Sequence, residues 1–175
     1  SYIAYFVTDD SHSFMDWNSS RPYDAERWGL TITGDDADFT SADVGAYEED
    51  ADKSILARLV NMRDDERRHA TFKLDHDGAI RIYAIGEGRD DEMFDYGWIE
   101  DARSGKMVWE MTYRLTEHAG GSNKNRIVDD TISLKAGEYK VYYESDGSHS
   151  FNDWNDDPPY DPYNWGITVY AGKDE

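Results

Sequence analysis

Residues 2–33 and 139–170 are two copies of one segment. YIAYFVTDDSHSFMDWNSSRPYDAERWGLTIT lies on YKVYYESDGSHSFNDWNDDPPYDPYNWGITVY at a constant offset of 137, without a gap, and 16 of the 32 positions are identical. The identities run through Asp9, Ser11, His12, Ser13, Phe14, Asp16, Trp17, Asn18, Pro22, Tyr23, Asp24, Trp28 and Gly29 of the first copy. Chance does not produce such a match, so the segment is an internal duplication. Whatever shape one copy takes, the other is expected to take as well.

Each copy predicts a strand, a long connection and a returning strand. Residues 2–7 and 139–143 are rich in aromatic and β-branched side chains, and 29–33 and 166–170 read as the return strands. The chain therefore carries two homologous long-loop hairpins. The connection is roughly 20 residues, a length that calls for packing by its own side chains or for a function.

Three readings of the loop follow from its residue types. Trp17, Trp28, Phe14 and Pro22 can fold back over the sheet edge while Asp and Ser side chains satisfy the loop backbone. Alternatively Asp9, Asp16, Asn18 and Asp24, with Asp146, Asp153, Asn155 and Asp161 in the second copy, offer hard oxygen ligands. Ca²⁺ is the cofactor they would take, although their spacing is not that of an EF-hand. In the third reading Trp17, Trp28, Tyr23, Trp154, Trp165 and Tyr160 form aromatic platforms for sugar rings. His12 and His149, each within S-H-S, are expected to donate a ring N–H to a neighbouring carboxylate or carbonyl.

Charge narrows the partners. With 38 acidic against 18 basic residues, the net charge is -20. Phosphates would be repelled, which argues against nucleic acid and anionic membranes. No apolar run approaches the ~20 residues a spanning helix needs. Thirteen Tyr, 6 Trp and 6 Phe argue against a disordered acidic tail, and the absence of Cys removes disulfides and thiolate chemistry. The acidic surface suits either salt adaptation or a calcium-rich extracellular setting.

Between the copies, residues 35–54 read as an acidic linker, so the expected organisation is an N-terminal hairpin (1–34), the linker, and a sandwich (55–175) ending in the second hairpin. Residues 54–68 fit either a short helix or a strand. His76-Asp77-Gly78 reads as a hairpin turn between strands at 69–74 and 79–85. Ser104-Gly105 joins strands at 94–100 and 106–115. In the latter, Trp109, Met111, Tyr113 and Leu115 alternate with polar residues, the strongest strand pattern in the chain. A glycine-rich loop (118–125) and a strand at 127–134 follow. The pattern predicts an all-β, antiparallel, jelly-roll-like β-sandwich of about 7–10 strands.

The run SLKAGEYKVYYESDGSHSF...WGITVY, with Leu134, Ala136, Gly137 and Tyr139, resembles the last hairpin of secreted bacterial β-sandwich modules of the prepeptidase C-terminal type. ATFKLDHDGAIRIYA is similar to such a module's early hairpin, and the resemblance covers about 68–171. The S-H-S-F-x-D-W-N loop is not part of that pattern. The resemblance implies an extracellular, non-catalytic accessory domain, calcium-associated in some members.

An enzyme would have to draw on the carboxylates of 86–101 (Glu87, Asp90, Asp91, Glu92, Asp95, Glu100 and Asp101) for an acid/base pair. Carboxylates this dense place pairs together without any catalytic purpose, and no nucleophile, zinc or phosphate-loop motif is present. The sequence therefore points to a non-catalytic structural or accessory module of a repeat-containing cell-surface or filament-forming protein. Its expected partners are neighbouring repeats or further copies, with calcium or glycan binding by the repeated loops as the alternative. The first hairpin packs in the same domain, belongs to a preceding repeat, or completes a neighbouring chain's sheet, and packing in the same domain is the favoured expectation.

Overall fold

The computed structural model describes Ala4, Phe6, Thr8, 12–33 and 54–172. The chain divides into two compact units, Ser1–Ala51 and Asp52–Glu175. The acidic linker, apart from Ser54, and most of the strand expected at 2–7 lie outside the described residues.

The second unit is an all-β, antiparallel sandwich. One sheet has the order β3 (Ile55–Val60), β12 (Gly166–Ala171), β5 (Gly78–Arg89), β10 (Asn125–Leu134), β9 (Glu117–His118), with β6 (Glu92–Met93) paired to the end of β5. The other has the order β4 (Arg67–Leu74), β11 (Gly137–Glu144), β7 (Tyr96–Asp101), β8 (Met107–Glu110). The ambiguous stretch after Ser54 is thus a strand, β3, because Ala57 and Leu59 alternate into the core.

The period of two sets the packing. In β11, Tyr139, Val141 and Tyr143 are buried while Lys140, Tyr142 and Glu144 face outward. Ile80, Ile82 and Ala84 of β5 and Ile167 and Val169 of β12 meet them in one core. Each fully buried Ile or Val side chain contributes roughly 1.5–3 kcal/mol. Alternation fails in β5 after Ala84, where Ile85, Gly86, Glu87 and Gly88 are all buried. That half of the strand is covered on both faces, and Glu87 is carried inside with it.

Connections between the sheets replace two of the expected hairpins. The His76-Asp77-Gly78 turn does not close a hairpin: β4 and β5 belong to opposite sheets. The same holds for β10 and β11, and for β11 and β12, so the second repeat copy is an arch between the sheets. Turn residues signal that the chain reverses, but not that the flanking strands pair. Asp77 joins two of these corners, accepting the Ala136 N–H (2.8 Å) and Lys135 Nζ (2.7 Å). The hairpin around Ser104-Gly105 does form, as β7–β8. Its second strand stops at Glu110, and Tyr113–Leu115 is a 3-10 turn with Leu115 exposed. Met111 makes the last bond back to Gly97 O (2.9 Å), and beyond it the alternating pattern has no partner strand to follow.

In the first unit, β1 (His12–Ser13) and β2 (Asp16–Trp17) form a tight hairpin, followed by a 3-10 turn at Ala25–Arg27. The return strand expected at 29–33 is not formed. Its counterpart β12 is a strand because β3 and β5 flank it; 29–33 pairs with no strand among the described residues.

Candidate functional site

The two copies of the loop build the same local structure. The backbone bends at Met15 (φ 73°) and at its counterpart Asn152 (φ 66°). Ser13 pairs with Asp16, and Ser150 with Asp153. Asp24 (φ -112°, ψ 68°) and Asp161 (φ -122°, ψ 69°) each open a 3-10 turn. His12, Trp17 and Trp28 meet edge to face with centroids 4.9–5.4 Å apart. His149, Trp154 and Trp165 repeat the cluster at 4.9–5.5 Å. Nδ1 of His12 lies 2.7 Å from the side-chain amide of Asn18, and Nδ1 of His149 lies 3.0 Å from that of Asn155.

The second loop is seated on the sandwich body. His149 donates its Nε2–H to Asn125 Oδ1 (2.6 Å), whose own NH₂ is spent on the carbonyls of Gly120 (2.8 Å) and Asp157 (2.9 Å). Burial and the nearby Lys124 charge push His149 down to about 4. Tyr83 donates to Asp161 (2.9 Å), Arg58 to Asn164 Oδ1 (3.0 Å), and Tyr143 to Ile85 O (2.7 Å). Gly166, at φ 135°, lies so close to β3 that a Cβ would stand 2.0 Å from Leu59 O. Only glycine meets both demands there.

Beneath this loop three carboxylates converge. One oxygen from each of Glu87, Asp95 and Asp146 lies within 4.8 Å of the others. Glu87 comes from β5, Asp95 from the link between β6 and β7, and Asp146 from the start of the loop. Gly86 permits the approach, since a Cβ there would be 2.1 Å from Asp95 O. Glu87 Oε1 binds Lys124 Nζ (3.0 Å), Asp95 Oδ1 accepts the Asp146 N–H (2.8 Å), and Asp146 Oδ1 accepts the Ser148 N–H (2.9 Å). Glu87 Oε2 and Asp95 Oδ2 are buried without a hydrogen-bond partner. Burial raises the Glu87 carboxyl, opposed by Lys124. Burial, with the Asp146 and Glu87 charges, pushes Asp95 up to about 8 against the Asp146 N–H and the neighbouring Trp165.

The residues proposed from sequence are distributed differently. Of the eight oxygen ligands, Asp146 joins the described carboxylate cluster, while Asp9 lies outside the described residues. Asn18 and Asn155 engage the histidines, Asp24 pairs with Arg27 (3.2 Å), and Asp161 accepts from Tyr83 and Asn164. Asp16 and Asp153 sit in the paired turns. Trp17, Trp28, Trp154 and Trp165 face one another rather than forming open platforms, and Trp165 is fully buried. Tyr23 is exposed; the exposed Tyr160 ring lies over Gly120. Asn125 carried no signal in the sequence. Glu87 and Asp95 stood in the acidic stretch, but nothing there tied them to Asp146. Among the described residues no helix is long and apolar enough to cross a membrane.

No protein-family model, curated protein or solved structure matches the chain.

Proposed function

We propose that the chain is a non-catalytic structural β-sandwich module whose N-terminal copy closes a second sandwich, one built like residues 54–138. One observation carries this reading: the first copy exposes the side chains that the second buries. Phe6, Leu30 and Ile32 are 52%, 54% and 66% exposed, whereas their counterparts Tyr143, Ile167 and Val169 are 0%, 1% and 0%. Left half to two-thirds exposed, each forgoes a corresponding part of the roughly 1.5–3 kcal/mol that full burial supplies.

A groove on the first unit supports the same reading. Its lining includes Phe6, Thr8, His12, Asp24, Arg27 and Trp28. The counterparts of all six touch the body of the second unit. Tyr143 bonds Ile85, Ser145 bonds Glu66, His149 bonds Asn125, Asp161 bonds Tyr83, Asn164 bonds Arg58, and Trp165 accepts from Met62. The chain's own sandwich already holds β11 between β4 and β7, and β12 between β3 and β5. A body from a neighbouring repeat would offer the first copy those same places.

An enzymatic use of Glu87 and Asp95 is disfavoured by access, since they are 6% and 0% exposed. A cell-surface or extracellular protein of repeated modules is the setting that fits, in keeping with the resemblance to secreted accessory domains. The test is an extended chain with a second copy of residues 54–138 placed before Ser1. Calorimetry should reveal an added cooperative transition that the Leu30→Asp, Ile32→Asp double variant loses. An unchanged thermogram would refute the assignment.

A further inference from the structure

We propose that Glu87, Asp95 and Asp146 bind one divalent metal cation, with Ca²⁺ the best match, and that the ion ties the second loop to the sandwich. Each carboxylate commits one oxygen to the protein and keeps the other. Glu87 Oε1 goes to Lys124, Asp95 Oδ1 to the Asp146 N–H, and Asp146 Oδ1 to the Ser148 N–H. The second oxygens of the two inner carboxylates, Oε2 and Oδ2, are buried and have no partner. A buried polar atom left unpaired costs about 1–3 kcal/mol, and more when it belongs to a charged group. The Glu87 atom is an argument for a ligand that the protein's own groups do not provide, whereas Asp95 has the neighbouring Trp165 indole, which favours its charge.

Charge and coordination chemistry specify that ligand. An incoming cation displaces the proton that burial leaves on Asp95; the three carboxylates, then ionised, and Lys124 leave an excess of two negative charges, which one divalent ion balances. Two oxygens on opposite sides of Ca²⁺, at about 2.4 Å each, stand about 4.8 Å apart. The three ligand atoms here fall within 4.8 Å of one another. Ca²⁺ also accepts irregular coordination by ligands from three separate segments, whereas Mg²⁺ demands near-ideal octahedral geometry. Asp146 is solvent-exposed, so water can complete the coordination from its side. Because β5, the β6–β7 link and the arch after β11 each contribute one ligand, the ion would cross-link segments distant in sequence.

The test uses the full chain with CaCl₂ alone, in 1 M NaCl, where the screening length of about 3 Å suppresses diffuse attraction to the acidic surface. Calorimetric titration should give one site, with a melting temperature that rises with Ca²⁺ concentration. Asp146→Asn, at an exposed position that folding tolerates, should weaken binding at least tenfold. Asp95→Asn should do the same, and Asp90→Asn, exposed and outside the cluster, should not. Absence of heat and of any melting shift at 10 mM Ca²⁺ would overturn the site. So would an undiminished response in Asp146→Asn, which would assign the ion to the general acidic surface.

Discussion

The Nε2–H of His149 reaches Asn125 Oδ1 across 2.6 Å, at a point where both side chains are fully buried. This bond joins the duplicated loop to a residue outside the duplication. Asn125 also holds the carbonyls of Gly120 and Asp157, so one side chain fixes three segments. Asn125→Ala is expected to leave three polar groups without partners and to lower stability by roughly 2–4 kcal/mol. Urea denaturation measures this; a loss below 1 kcal/mol would mean that water replaces the amide.

The buried imidazole makes the loop sensitive to acid. His149 titrates at about 4 in the folded chain, below its ordinary 6.5, because burial and Lys124 oppose its charge more than Asn155, Asp156 and Asp146 favour it. The folded value is depressed, so the unfolded chain binds the proton first. The contribution of neutral His149 is complete above pH 6.5 and is lost as pH falls from 6.5 towards 4. The shift bounds the loss at about 3 kcal/mol. NMR of the His149 ring should show it neutral down to pH 5; a midpoint near 6.5 would contradict the packing.

The paired glycines separate the two copies. Gly166→Ala forces a Cβ against Leu59 O at a positive φ and is expected to cost more than 3 kcal/mol or to prevent folding. Gly29, at φ 146°, has nothing within 4 Å of the same position. Gly29→Ala should leave the melting of the second unit unchanged. In the extended chain it should become as damaging to the added sandwich as Gly166→Ala is to the resident one. Thermal melting of the four proteins reads both effects.

Net charge sets a salt dependence. At -20, the folded chain repels itself, and the screening length shrinks from about 30 Å at 0.01 M salt to about 3 Å at 1 M. The melting temperature should rise across this range. A flat or falling profile would mean that ion pairs such as Arg81–Asp129 (2.7 Å) outweigh the repulsion.

The legible part of this molecule was its alternation and its duplication. Tyr139, Val141 and Tyr143 announce a strand with one buried face, and the ungapped repeat announces a loop of one shape made twice. Pairing across sheets was not legible: Asp77-Gly78 turns the chain, but the partner of β4 is β11, with Tyr139 opposite Phe72, and only the core decides that. The carboxylate cluster was half legible. Glu87 and Asp95 stand in an evident acidic stretch, whereas their union with Asp146 depends on the arch folding back over β5. Asn125 was hidden in a polar glycine loop that resembles any exposed connection.

Hydrogen exchange at residues 30 and 32 tests the central claim most directly. In the extended chain, with a second body before Ser1, these amides are predicted to become protected to the level of 167 and 169. If they exchange as fast as in the original chain while the added body is folded, the first copy is not the closing arch of a sandwich.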